Sequence, residues 1–303
     1  MRVRTLRLDE SGARARLRET RARLVLVDTI AAAAAPLLTP LRDSGTRVAT
    51  VALMERGAAA LARGSDLVIA CSHTLARAIR GRGVPASRIV FVLPGVTRER
   101  VRRVAPRGRS RRVHALCVAN WTKSKGIRTL LAAIEWLPDV ALDLVGDTPD
   151  PRYARLIRAD LRRGPFRGRV RVHGPKRGAS LARLYARADL FALPSITESY
   201  GMAVADALAA GLPVVACDIP ATREVARGAA VLVPRGRVDP LADAIERLAG
   251  DAELRRRMSR RARERAVTLP RWTQSERAFV RAVRVLLSAR GAGARRTRGG
   301  RPS

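Results

Sequence analysis

Two carboxylates, Glu198 and Asp206, stand eight positions apart on either side of Gly201 in the run LPSITESYGMAVADALAAGLPVVAC at 193–217. Gly201 opens a short apolar helix, whose first backbone N–H groups have no partner within the helix. Together with the positive end of the helix dipole, those groups favour an anionic ligand such as a phosphate. The loop before the helix thus joins a carboxylate, Glu198, to an anion-binding turn, and Asp206 follows inside the helix. A second segment, CVANWTKSKG at 117–126, ends an apolar run at Ala119 and carries Lys125-Gly126 at the opening of the next helix. A lysine in such a loop can reach an anionic group above the carboxyl ends of the strands, where open α/β sheets hold their ligands.

These residues need a scaffold of alternating strands and helices, and the pattern supplies one. Strand Leu190 to Leu193 leads into the Glu198 loop, Gly211 stops the helix, and strand Val214 to Cys217 follows. Short apolar runs alternate with helical periodicity along the whole chain, which predicts an α/β fold with parallel sheets. In the first third the expected strands are Leu24–Val27, Val48–Leu53, Leu67–Cys71 and Ile89–Leu93. Ser72 caps a helix carrying Leu75 and Ile79 that ends near Gly83. A first domain over 1–96 is followed by a basic linker at 97–112 interrupted by Pro and Gly.

The second domain, 113–270, opens with strand Val113–Ala119. Helix Ile127–Leu137, strands Ala141–Val145 and Val170–Val172, and a helix with Leu181, Leu184 and Tyr185 come next. Strand Val231–Val233 and helices at about 240–249 and 251–267 complete it. A last helix, 271–287, repeats an apolar face through Trp272, Phe279, Val283 and Leu286, and 288–303 reads as a disordered basic tail.

Composition narrows the function classes. With 303 residues, 47% of them hydrophobic, the chain can bury a sizeable core, and it has no apolar run of membrane-spanning length. The first residues are dense in Arg, Asp and Glu and do not resemble a secretory signal. Cys71, Cys117 and Cys217 sit far apart in apolar runs, so buried free thiols in a reducing cytoplasm are expected, with no metal spacing. The net charge of +34, from 60 bases against 26 acids, implies attraction to anionic surfaces, including a membrane face. Nucleic-acid binding has charge as its only support, since aromatic residues are few and no zinc-finger spacing occurs.

The order Pro194-Ser195, Glu198, Tyr200-Gly201, an acid eight residues after the Glu, then AGLPVV resembles the donor-site signature of retaining glycosyltransferases of family four. The resemblance extends through SDLVIACSHTLARAI (65–79), GVPASRIVFVLPGV (83–96), DLVGD (143–147), VHGPKRGASLARLYARADLFALPS (172–195) and Arg271-Trp272. It implies a GT-B architecture: two Rossmann-like parallel-sheet domains across a cleft, the second holding a nucleotide-diphosphate-sugar, with the last helix crossing back to the first. By the same resemblance Lys125 neutralises the departing diphosphate and Glu198 bonds hydroxyls of the transferred sugar. Backbone groups of Ser199, Tyr200, Gly201 and Met202 meet sugar and phosphate, Gly126 and Asn120 line the donor, and Asp206 takes the ribose hydroxyls. No metal or further cofactor is implied, and the acceptor, whether glycan, lipid-linked or small molecule, is left open.

The chain also departs from the family pattern. Asn120 stands where the family carries Arg, Asp206 where it carries Glu, and Leu53 near the place of a histidine. His73, His114 and His173 are expected to be surface or packing residues. Relatives have about three more strands before Leu24–Val27, so the first domain is expected to be incomplete, with that strand at an edge. Three readings follow: a retaining glycosyltransferase, a shortened relative that binds nucleotide-sugar without turnover, and a basic protein that docks on membrane or nucleic acid.

Overall fold

The computed structural model describes residues 23–28, 35–43, 45–54, 57–97 and 112–288. The expected tail beyond 288 and most of the expected linker lie outside these residues. The chain divides into two compact units, one running to Pro94 and resuming at Trp272, the other spanning Gly95–Arg271.

The first unit contains four parallel strands, β1 (Leu24–Asp28), β2 (Arg47–Ala52), β3 (Leu67–Ala70) and β4 (Ile89–Phe91), paired in that order. β1 stands at one end of this sheet as described. One face is covered by the helix Trp272–Ser288, whose Ala282, Val283 and Leu286 pack on Ala49, Leu67 and Ile69. The other face buries Val27, Val48, Leu38, Leu41 and Leu61. Ser72 caps the helix His73–Arg80 as its spacing predicts, its Oγ accepting from the Leu75 N–H at 2.9 Å. Three expected strands stop short: β2 ends before Leu53, which is exposed, β3 ends before Cys71, and β4 ends at Phe91, before the expected Leu93. Past these ends single backbone bonds persist, from the Cys71 N–H to Ala52 O at 3.4 Å and from the Val92 N–H to Ala70 O at 3.0 Å, while the apolar sequence continues. Trp272 does not join the buried face of its helix but stands 52% exposed.

The second unit holds six parallel strands, β5 (Val113–Val118), β6 (Val140–Val145), β7 (Val170–Val172), β8 (Leu190–Leu193), β9 (Val214–Cys217) and β10 (Val231–Val233). Their order across the sheet is β10-β9-β8-β5-β6-β7. The chain therefore builds outward from β5 to β7, returns to β5's other side at β8, and builds outward the opposite way. Helix Ile127–Glu135, after β5, packs against Pro151–Leu161 and Val238–Gly250. Helix Met202–Ala209, after β8, packs against Pro220–Ala226 and Ala252–Thr268. The first of these helices ends two residues before the expected Leu137, where Arg169 takes over its carbonyls: the buried guanidinium donates to Leu137 O at 2.6 Å and Ile134 O at 3.1 Å.

Four helices were not anticipated from periodicity: Ala35–Asp43, Ala58–Arg63, Pro151–Leu161 and Pro220–Ala226. Three of them have nine residues or fewer, while Pro151–Leu161 has 11 and buries Tyr153, Ala154 and Ile157 on a stripe interrupted by arginines. Asp150 nonetheless caps the third, accepting from the Tyr153 N–H at 3.0 Å with Pro151 at its first position. All three cysteines are buried and free.

Candidate active site

β5 and β8 are neighbours, with Ala115 opposite Leu190 and Leu116 opposite Phe191, so their carboxyl ends deliver two loops side by side. The loop after β5 passes Asn120, makes a tight turn at Lys123–Lys125, and reverses at Gly126, whose φ of 66° lies in the left-handed region glycine tolerates. The loop after β8 carries Pro194 to Tyr200 and reverses at Gly201, φ 98°, which opens Met202–Ala209.

Three contacts fasten the loops together. The Ile196 N–H donates to Ser124 O at 2.7 Å. At Gly126 the two backbones come so close that a Cβ would lie 2.2 Å from Pro194 O. Lys125 Nζ donates to Glu198 Oε1 at 2.7 Å, with the side chains 26% and 10% exposed. The fold thus brings together Lys125, Gly126 and Glu198, and continues from Glu198 through Ser199, Tyr200 and Gly201 into the first turn at Met202. Tyr200 is buried, so it offers the site its backbone.

Asp206 stands one helical turn after Met202 and is half-buried; burial pushes its carboxyl from 3.8 up to about 6. Beneath it lies Tyr185, whose phenol is held well above its ordinary range by burial first and the Asp206 charge second. The Tyr185 hydroxyl donates to Ala203 O at 3.4 Å, bracing the first helical turn. Burial likewise lifts the Cys117 thiol to about 12, against the opposing charge of Lys125. These two groups sit under the site and keep their protons.

Asn120 is placed differently. Its Oδ1 accepts from the Asp147 N–H at 3.2 Å, and the Trp121 N–H donates to Asp147 O at 2.7 Å. At Gly146 a Cβ would fall 1.8 Å from Ala119 O. Asn120 therefore ties the loop after β5 to the loop after β6, on the side away from Glu198. Tyr185 was not singled out as a site neighbour from sequence, and Ser195 entered only as part of the donor-site signature. Ser195 is fully buried and its Oγ has no hydrogen-bond partner among the described residues. The signal for Tyr185 was its position seventeen residues before Met202, at the end of an apolar helical stripe. His173 bonds Asp143 Oδ1 through Nε2 at 2.6 Å, and His73 lies tilted against Phe91, with ring centroids 4.1 Å apart and planes 40° from parallel. Among the described residues, no group of three or more His, Cys, Asp or Glu is arranged to hold a metal ion.

A carboxylate, a cation and an open helix N-terminus at the reversal of a parallel sheet form an arrangement suited to a phosphorylated polyol. The family model for glycosyl transferases group 1 matches residues 112–251, the stretch that holds every one of these groups. This segment belongs to the group 1 glycosyltransferases. A D-inositol 3-phosphate glycosyltransferase of Xylanimonas cellulosilytica is 36% identical to the chain over 143 residues, 46% of this chain and 34% of that protein. A phosphatidyl-myo-inositol mannosyltransferase of Mycobacterium leprae is 36% identical over 140 residues, 44% of this chain and 36% of that protein. The match thus spans about a third of the length of these curated relatives. The structure of Anabaena HepE in complex with UDP-glucose resembles the fold with a TM-score of 0.77 at 19% identity, covering 91% of this chain and 82% of that one. The two parallel-sheet units are accordingly of GT-B type, and the group 1 segment is the second of them.

Proposed function

We propose that the chain is a retaining glycosyltransferase that moves a hexose from a nucleotide-diphosphate-sugar to an acceptor, without a metal ion. The observation that carries this reading is the Lys125–Glu198 pair beside the Gly201 helix start. Breaking the bond between the sugar and the diphosphate leaves positive charge on the ring and negative charge on the departing phosphate. In this reading Lys125 and the N–H groups at Gly201 and Met202 meet the negative charge, already oriented before the bond breaks. Glu198 accepts from sugar hydroxyls, and Asp206 accepts from the ribose. Gly126, Ser199 and Tyr200 contribute backbone alongside the donor, and Asn120 lines the loop without adding charge. The acceptor belongs to the first unit, and the basic surface suits an acceptor carried at the cytoplasmic face of a membrane.

A second reading, binding of nucleotide-sugar without turnover, is favoured by Asn120, whose amide is engaged with Asp147 where the family has a phosphate-binding cation. Calorimetric titration with a panel of nucleotide-sugars, paired with a sugar-release assay, separates the two. Turnover abolished by Glu198→Ala and by Lys125→Ala supports transfer; binding with no turnover in the parent protein supports the second reading; unchanged turnover in both variants overturns the site assignment.

A further inference from the structure

We propose that the outward face of the Trp272–Ser288 helix is a docking surface for an anionic lipid bilayer. The proposal deepens the function above and rests on it only for the purpose docking serves, bringing the enzyme to a membrane-held acceptor. The helix has 17 residues and is therefore about 25 Å long. Its inward side is spent on the sheet through Ala282, Val283 and Leu286. On the opposite side Arg277, Arg281 and Arg284 follow one another at i, i+4 and i+7, so they share one stripe, and all three are exposed. None of them has an ion-pair or hydrogen-bond partner among the described residues. The helix contains a single acid, Glu276, which lines the same surface beside Arg277 and leaves three cations against one acid there.

Val280 and Val285, 38% and 63% exposed, line the same surface as the three arginines. Unpaired cations alternating with apolar side chains match the headgroup boundary of an anionic bilayer, where Arg stems lie along apolar matter while their charged ends meet phosphate. A nucleic acid rewards the charge but not the valines. The chain's own ends carry the wrong sign for this face: residues 1–22 contain seven Arg against three acids, and 289–303 five Arg and no acid. The other Arg-rich helix, Ala252–Thr268, differs in being partly neutralised, since Arg256 pairs with Glu253 at 3.0 Å and Arg257 with Asp251 at 3.9 Å. Charge density alone does not select the surface: Ala252–Thr268 exposes one valine, Val267, on a partly neutralised helix, whereas Trp272–Ser288 sets two, Val280 and Val285, among three unpaired arginines.

The test is co-sedimentation of the full chain with phosphatidylcholine vesicles with and without phosphatidylglycerol. Binding is expected only with phosphatidylglycerol and is weakened by salt. The triple variant Arg277→Gln, Arg281→Gln, Arg284→Gln should bind about a hundredfold more weakly, and Val280→Ser with Val285→Ser several-fold more weakly. Arg260→Gln with Arg261→Gln, on the other helix, should lose little. Circular dichroism melting and donor titration identical to the parent show that the variants are folded. No binding to phosphatidylglycerol, or a triple variant that binds like the parent, overturns the proposal. So does heparin or duplex DNA binding that depends on the arginines while vesicle binding is indifferent to the valines. Vesicle binding as expected in a protein that takes no nucleotide-sugar leaves the docking surface standing and removes the function proposed above.

Discussion

Lys125 Nζ donates to Glu198 Oε1 at 2.7 Å, across two loops whose residues are 73 positions apart in sequence. The cation assigned to the donor's diphosphate and the carboxylate assigned to its sugar are thus partners, and a diphosphate has to compete with Glu198 for Lys125. Glu198→Gln keeps the shape and removes the competing charge. A nucleoside diphosphate alone should then bind about three- to tenfold tighter, while transfer falls by about a hundredfold or more. Calorimetry and a turnover assay on one preparation read both; equal weakening of both sinks the competition.

Gly126→Ala should destabilise the second unit by about 3 kcal/mol, because its Cβ meets the Pro194 carbonyl in a left-handed backbone conformation. Gly178→Ala is the control. It also has positive φ, 51°, but open space around its Cβ, so it should cost less, on the order of 1 kcal/mol. Urea denaturation distinguishes the two; equal losses remove the steric part of the account.

Asp206 imposes a pH dependence on stability. Its folded value of about 6 lies above the ordinary 3.8, so between the two the folded protein keeps a proton that the unfolded chain has released. Stability from this group is therefore full below about pH 4 and is lost as pH rises through about 6. Asp206→Asn should gain on the order of 2 kcal/mol over the parent at neutral pH and nothing in acid. Denaturant melts at both pH values check this, and an equal effect at both contradicts it.

Asn120→Arg restores a cation at the edge of the donor loop and gives up the acceptor for the Asp147 N–H. The expected result is tighter binding of a nucleoside diphosphate, by about tenfold, with a steeper salt dependence and a stability cost of about 1 kcal/mol. Titration at two salt concentrations reads it. Unchanged affinity means that the loop holds position 120 away from the phosphates.

Much of this was legible in the chain because short apolar runs bounded by Gly and Pro are strong local signals. Val170–Val172, Leu190–Leu193, Val214–Cys217 and Val231–Val233 form strands over the residues expected. Leu53, Cys71 and Leu93 prolong their apolar runs past the last paired residues of their strands, which composition does not mark. Trp272 fitted a helical period yet points outward, since period alone does not say how wide the covered stripe is. The loop glycines and Lys125 announced an anion site, but their fastening to Pro194 and Glu198 depends on β5 and β8 becoming neighbours, a long-range event without a local signature. Asn120 was legible as a missing cation, though its attachment to Asp147 was not.

The reversal of strand order at β5 and β8 sends their following helices to different partners. The meeting of the two loops is therefore a by-product of the path the chain takes, not of any one side chain. It is set by the connectivity: a substitution changes the groups that the loops carry, while β5 and β8 still deliver them side by side. A lineage that loses turnover on this scaffold still brings the two loops together, open to being refitted for another phosphorylated ligand.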